Sequence, residues 1–283
     1  MDDRLRQLWD FDDLDGSESR LREQLADETS DPGRAEVLTQ LARVHGLRGD
    51  FDDGDALLDE AASLGSTSPA AAARIDLERG RLRRSGGDPE TARPLFESAY
   101  AGALETEQYF LAADAAHMVA LVAGDRERFV DWTTRGIELA EEHESASYWR
   151  GPLLNNLGWE HYEAGDLEPA LGAFERALRA REEDASHAQA VEIARHAVGK
   201  TLRALGRADE AIPLLEQAVA WAEAEGPPDG WFHEELAEDY AAAGREDEAR
   251  AQAALAIPLL ERDDPSFAED AERSAQLSAI ASR

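Results

Sequence analysis

Apolar and small residues along the chain recur three and four positions apart, the spacing that places side chains on one buried face of an α-helix. The clearest case is residues 151–184, which hold two such runs: Leu154, Leu157, Gly158 and His161, then Ala170, Phe174 and Ala177. Gly165 and Asp166 stand between the runs. Glycine can close a helix in the left-handed conformation, and aspartate can cap the helix that follows. The segment therefore predicts two helices joined by a tight turn.

The turn glycine recurs along the chain at nearly constant intervals of 38, 37, 41, 41 and 38 residues: Gly49, Gly87, Gly124, Gly165, Gly206 and Gly244. Most copies keep a small residue seven positions before the glycine and a large apolar residue nine positions after it. The copy around Gly124 fits worst, because His117 and Thr133 hold these positions. The aspartates that follow the first four glycines are predicted caps. Six helical hairpins are predicted.

This order of small and large residues resembles the tetratricopeptide repeat (TPR), and the long interval resembles the kinesin-light-chain type. The resemblance implies an all-α, right-handed superhelical solenoid of about six hairpins with capping helices at its ends. The expected domains are N-terminal capping helices at 1–34, repeats at about 35–68, 73–106, 110–143, 151–184, 192–225 and 230–263, and a C-terminal capping helix at 264–283.

Both ends of the chain carry helix signals outside the repeats. Ser17 is predicted to cap an N-terminal helix, and one helix is predicted from about Asp264 to Ile280. Trp9 and Phe11 stand among acids before the first repeat. Because aromatic rings are usually buried, we expect both to fold onto the first repeat. The alternative is that this segment docks on another chain or in the protein's own groove.

The net charge of −32 and pI near 4.4 indicate a halophilic, haloarchaeal protein, since acidic surfaces suit a salt-rich cytosol. The alternative is a high-GC organism that prefers arginine, because Lys200 is the sole lysine. Such a surface disfavours nucleic acid and anionic membranes as partners. The sequence shows no apolar run of about 18 residues, no signal peptide and no cysteine, so a cytoplasmic location is expected.

Catalytic and metal-binding motifs are not found in the sequence. It lacks a Gly-x-x-x-x-Gly-Lys-Ser/Thr loop and a Gly-x-Ser-x-Gly elbow, and no two histidines have the spacing of a zinc helix. We therefore expect a non-enzymatic protein without cofactor or metal.

The TPR resemblance implies a concave face lined by one stripe of each first helix. The two central positions of this stripe are held by Arg43 and Gly46, Arg81 and Arg84, Met118 and Leu121, Trp159 and Tyr162, Lys200 and Arg203, Glu238 and Ala241. Five of these twelve residues are basic and one is acidic, although the chain has 61 acids and 29 bases. The groove is therefore predicted to be more positive than the rest of the surface, with an aromatic floor.

A binding function follows from this groove. Asparagine can donate to and accept from one peptide unit, and Trp and Tyr suit hot spots. The predicted peptide-binding residues are Arg81, Arg84, Asn155, Trp159, Tyr162, His196, Lys200 and Arg203. The expected role is a scaffold or adaptor that binds an extended or acidic segment of another protein. The alternatives are internal pairing of the basic residues, self-association, and a regulatory domain that senses a peptide or small ligand.

Overall fold

The structure, a computed structural model, describes residues 4–65, 68–184 and 188–282, and the regular elements within these ranges are all helical. Short 3-10 helices lie at Arg6–Leu8 and Glu144–Trp149. The α-helices of the described residues are α1 Leu14–Asp27, α2 Asp31–Arg48, α3 Phe51–Gly65, α4 Pro69–Ser85, α5 Pro89–Glu105, α6 Tyr109–Ala120, α7 Arg126–Glu142, α8 Arg150–Glu163, α9 Leu167–Glu183, α10 Ala188–Ala204, α11 Ala208–Ala224, α12 Gly230–Ala242, α13 Glu246–Asp263, α14 Pro265–Glu269 and α15 Ala271–Ala281.

The chain divides into two compact units, unit 1 ending at Leu153 and unit 2 beginning at Leu154. In unit 1, α2 packs on α3, α4 on α5 and α6 on α7. In unit 2, α10 packs on α11 and α12 on α13. Consecutive helices therefore pair as hairpins, as the all-α prediction requires. The division into capping and repeat domains stays a prediction.

The six turn glycines adopt the left-handed conformation, with φ between +75° and +87°. A residue with a Cβ is destabilised there by about 1–2 kcal/mol, which explains why glycine stands at each turn. The prediction that these glycines close the first helix of each hairpin is confirmed for α2, α4, α8, α10 and α12, but α6 ends at Ala120, four residues before Gly124. Of the aspartates after them, Asp88 and Asp125 cap the next helix by accepting from the backbone N–H of Thr91 and Arg128.

One predicted cap is wrong. Asp166 makes no side-chain cap bond to α9. Its Oδ2 lies 3.8 Å from Nδ1 of His161, on the preceding helix. The side chain has turned toward that helix and away from the N–H groups that it was predicted to cap.

Close approach of the paired helices depends on the small residue of each hairpin. A Cβ on Gly158 would come within 2.5 Å of the Phe174 ring, and a Cβ on Gly80 within 2.4 Å of the Phe96 ring. Both phenylalanines are fully buried. Burying a Phe side chain contributes about 1.5–3 kcal/mol, so the missing Cβ makes room for a main stabilising contact of each hairpin.

The N-terminal cap differs from its prediction. Asp13 caps α1 by accepting from the backbone N–H of Gly16 at 2.9 Å. Ser17 is buried one turn further on, where its Oγ accepts from the N–H of Asp10 at 2.7 Å. Both residues are good capping types. Ser17 is occupied by the preceding segment and therefore does not begin the helix.

The C-terminal segment is predicted as one helix, and that prediction is wrong. The structure has two helices, α14 and α15, with a break at Asp270. Asp264 caps the first through the N–H of Ser266, and Asp270 caps the second through the N–H of Arg273. Phe267 and Leu277, one from each helix, are both buried against the core of unit 2.

Candidate functional site

An aromatic pair lies on the first-helix face of unit 2, which we define as the exposed side of α10, α12 and the part of α8 from Leu154 onward. The rings of Trp159 and Tyr162 meet edge to face, with centroids 5.5 Å apart and planes at 73°. Trp159 also contacts the buried ring of Phe174 at 5.0 Å. Edge-to-face pairs of this kind add about 0.5–1.5 kcal/mol beyond their buried area. The Trp159 side chain is therefore partly exposed and also packs against the core of unit 2.

Asn155 lies one helical turn before Trp159 on α8 and is half-buried. Its side-chain amide has no hydrogen-bond partner among the residues that the structure describes, although the amide can donate twice and accept twice. A half-buried amide without partners is available to a ligand. The predicted role of Asn155 is thus compatible with its surroundings.

The two basic residues of α10 share one buried carboxylate of α12. Lys200 Nζ lies 3.1 Å from Glu235 Oε2, and Arg203 Nε lies 2.6 Å from Glu235 Oε1. Burial pulls the pKa of Glu235 upward, but the charges of Lys200 and Arg203 outweigh it and leave that pKa below its ordinary value. Burial likewise lowers the pKa of Lys200, and Glu235 more than restores it. The three residues form one charge cluster that links consecutive first helices.

Two further acids of α12 complete this cluster. Arg203 Nη2 pairs with Glu238 Oε2 at 2.5 Å. Asp239 is fully buried, and its carboxylate oxygens have no hydrogen-bond partner. Its nearest cation is Arg203, whose Nε lies 3.9 Å away. Burial, reinforced by the negative charge of Glu235, raises the pKa of Asp239 to about 8. Asp239 is therefore mostly protonated at neutral pH.

His196 lies one turn before Lys200 on α10, with its ring centroid 5.8 Å from that of Phe232. Burial lowers the pKa of His196, although the charge of Glu235 opposes this. The imidazole is therefore neutral at neutral pH and does not add to the positive charge predicted for this face.

The two predicted site residues of unit 1 differ in their surroundings. Arg81 on α4 pairs at 2.5 Å both with Glu78, one turn earlier, and with Asp114 on α6. Burial opposes the charge of Arg81, but Asp114 and Glu78 raise its pKa above the ordinary value. Arg84 is exposed and has no ion pair among the described residues. Both arginines are charged, but only the charge of Arg84 is left without a carboxylate partner among the described residues.

Sequence reasoning gave internal pairing of the basic residues as an alternative but did not identify the acids that pair with them. Asp114 follows Arg81 by 33 residues, and Glu235 follows Lys200 by 35. Both separations are close to the length of one repeat. The sequence feature that could have identified the pairs is therefore an acidic residue about one repeat after each basic residue, on the first helix of the following hairpin. In a chain with 61 acids this signal is weak, because many other carboxylates satisfy nearly the same spacing.

Across residues 4–65, 68–184 and 188–282, no three His, Cys, Asp or Glu side chains are grouped so that they could hold a metal ion. In the same ranges, no helix combines the length and apolarity needed to span a bilayer.

Residues 153–183 and 192–225 match two family models, both described as tetratricopeptide repeat. These segments fall on two of the predicted hairpins, so the TPR resemblance is confirmed there. No curated protein sequence matches the chain.

Several solved structures are similar to this chain. The apo form of RapI matches with a TM-score of 0.73 and 12% identity over 98% of this chain and 84% of that one. A STAND protein of Pyrococcus horikoshii, described as having a tetratricopeptide repeat sensor, matches with a TM-score of 0.71 and 13% identity over 88% of this chain and 40% of that one. BtubC (BKLC) of P. vanneervenii matches with a TM-score of 0.60 and 19% identity over 80% of this chain and 94% of that one. At such identities the similarity shows the fold alone, and it supports the TPR-like, all-α prediction.

Proposed function

We propose that this protein is a non-enzymatic scaffold or adaptor that binds an extended segment of another protein on the first-helix face of unit 2. The observation that carries the proposal is Asn155, a half-buried amide with no partner among the described residues, one turn from the Trp159–Tyr162 ring pair. An amide can hydrogen-bond to a peptide unit, and neighbouring aromatic rings can pack against a side chain. Together these two features are what an extended peptide segment needs.

The charge of the partner depends on Lys200. One of the three ammonium protons of Lys200 is engaged by Glu235, and the side chain is about one-third exposed. A carboxylate of the partner can therefore share Lys200 without breaking its pair with Glu235. Arg203 offers less, because Glu235 and Glu238 both contact its guanidinium. We accordingly propose a partner segment with a carboxylate near Lys200 and an apolar side chain at the rings.

The experiment is affinity capture with Asn155→Ala, using lysate of the source organism at high KCl. The change removes an amide that no described side chain needs, so stability is retained while binding of the partner falls about tenfold, the loss of one or two hydrogen bonds at about 1 kcal/mol each. The matched control is Gln217→Ala, another amide, exposed on the second helix α11.

The result decides the proposal. A partner that is captured by the natural chain and by Gln217→Ala but lost by Asn155→Ala places binding on this face. Equal capture by all three proteins contradicts the proposal and moves the binding surface elsewhere. If the natural chain captures only copies of itself, self-association is the correct function.

A further inference from the structure

A second candidate binding surface lies in unit 1, on the side of the molecule where α2, α4 and α6 expose their first-helix stripes. We call it the groove of unit 1. It consists of two open hollows, both bordered by Arg43 and Glu78. The first is walled by aromatic rings, among them Phe110, Tyr148 and Trp149.

Positive charge is concentrated in this groove. Its helices contribute four arginines and two carboxylates to the lining: Arg43, Arg74, Arg81 and Arg84 against Glu78 and Asp114. Both carboxylates contact Arg81, and both are buried. In a chain with a net charge of −32, such a local excess of cations favours an acidic ligand.

The chain's own N-terminal segment already lies against the first hollow. Trp9 and Phe11 stack with their ring planes at 12° and centroids 5.0 Å apart. The guanidinium of Arg43 lies 5.4 Å from one ring centroid and 5.3 Å from the other. Trp9 Nε1 donates to Gln40 Oε1 at 2.9 Å. An aromatic pair followed by acids is thus held by a cation and an amide of α2, through contacts that are specific to its chemistry.

Residues 8–13 make only part of the contacts that the groove of unit 1 offers. Phe11 is 58% exposed, and Asp10 and Asp12 are exposed and have no ion pair among the described residues. None of the described N-terminal residues before α1 lines the second hollow, where Leu47 is 52% exposed and Arg84 is exposed. A segment that leaves its own ring and carboxylates in water gains only part of the interaction that the groove offers.

We propose that the groove of unit 1 binds an aromatic–acidic segment of a partner protein, and that residues 8–13 of this chain are a resident competitor that the partner displaces. The contacts just described supply the ligand chemistry: two aromatic rings separated by one residue, followed by carboxylates that reach toward Arg84. This surface shares no residue with the one proposed for unit 2, so either proposal can fail alone.

The experiment measures binding of a labelled peptide of residues 8–15, Leu-Trp-Asp-Phe-Asp-Asp-Leu-Asp, to the full chain by fluorescence anisotropy. In the natural chain the resident segment competes at an effective concentration of about 1 mM, so a peptide with a dissociation constant of about 10 µM appears roughly 100-fold weaker. The variant Trp9→Ser, Phe11→Ser removes the competitor and is expected to bind the peptide roughly 100-fold more tightly. Adding Arg43→Glu to this variant is expected to abolish binding.

Controls keep folding and binding apart. Phe11→Ser alone removes a ring that is 58% exposed, so the fold is retained and the affinity is expected to rise several-fold. Leu255→Ser removes another exposed apolar side chain, on α13 of unit 2, and is expected to leave peptide binding as in the natural chain. Circular dichroism checks that each variant is folded.

Two results would overturn the proposal. If folded Phe11→Ser and the double variant bind the peptide no more tightly than the natural chain, the segment is a structural cap and does not compete. If a scrambled peptide of the same composition binds equally well, the groove attracts charge without recognising an aromatic–acidic segment.

Discussion

The burial of Asp239 predicts that the stability of the folded chain depends on pH. The carboxylate is fully buried in α12, with Glu235, Glu238, Arg203 and Lys200 as its charged neighbours. Its pKa is raised from the ordinary 3.8 to about 8, chiefly by burial and then by Glu235. Between these values the folded chain keeps a proton that the unfolded chain releases. The folded state is therefore progressively disfavoured as the pH rises through this window, and the effect levels off above the folded pKa.

Asp239→Asn removes this ionisation with little change of shape. Between about pH 4.5 and about pH 7.5 the ionisation of Asp239 lowers the free energy of unfolding of the natural chain by about 1.4 kcal/mol per pH unit, or about 4 kcal/mol in total. The variant lacks this contribution. At the acid end the variant should be more stable by only about 1 kcal/mol, because pH 4.5 lies little above the ordinary pKa of 3.8. At the neutral end the variant should be more stable by about 5 kcal/mol.

Urea denaturation at both pH values, in high KCl, measures this difference through the transition midpoints. Asp209→Asn, an exposed carboxylate on α11, is the matched control and should behave as the natural chain at both pH values. If the stability difference between Asp239→Asn and the natural chain is the same at both pH values, the buried carboxylate does not titrate in this window and the reasoning is refuted.

Two other predictions concern charge. Glu235→Ala should lower stability by about 3–5 kcal/mol, because Lys200 and Arg203 are left as partly buried cations without their shared carboxylate; Glu210→Ala, which breaks only the exposed pair with Arg207, should shift the urea midpoint little, and equal losses would contradict this. The melting temperature of the natural chain should rise with KCl up to molar concentrations, because screening reduces the repulsion within a chain of net charge −32; a flat response in calorimetry would argue against the halophilic origin, which stays a prediction.

The hairpins could be predicted because their determinants are local. A left-handed turn admits glycine and penalises other residues, so Gly49 and its five counterparts mark the turns directly in the sequence. Gly158 and Phe174 likewise indicate a close approach of two helices, because the ring occupies the space where a Cβ on residue 158 would lie. Steric constraints of this kind leave few alternatives.

The ends of the chain could not be predicted as well, because several residues there suit the same role. Asp13 and Ser17 are both good N-caps, and only the bonds between Ser17 and Asp10 decide that Asp13 begins α1. At the other end, Asp264 and Asp270 each cap a helix, and the packing of Phe267 accompanies the break between them. These choices depend on tertiary contacts that one sequence does not encode in its local pattern.

The charge pairs limit how ligand binding on unit 2 can be tested. A charge reversal such as Lys200→Glu would place a carboxylate beside buried Glu235, and Arg203→Glu would do so beside Glu235 and Glu238. Like charges at such distances in a partly buried site destabilise the folded state itself. Lost binding in either variant would then report lost structure. Asn155 carries no internal bond among the described residues, so a substitution there separates recognition from folding, and it is the position from which a binding role of this face can be decided.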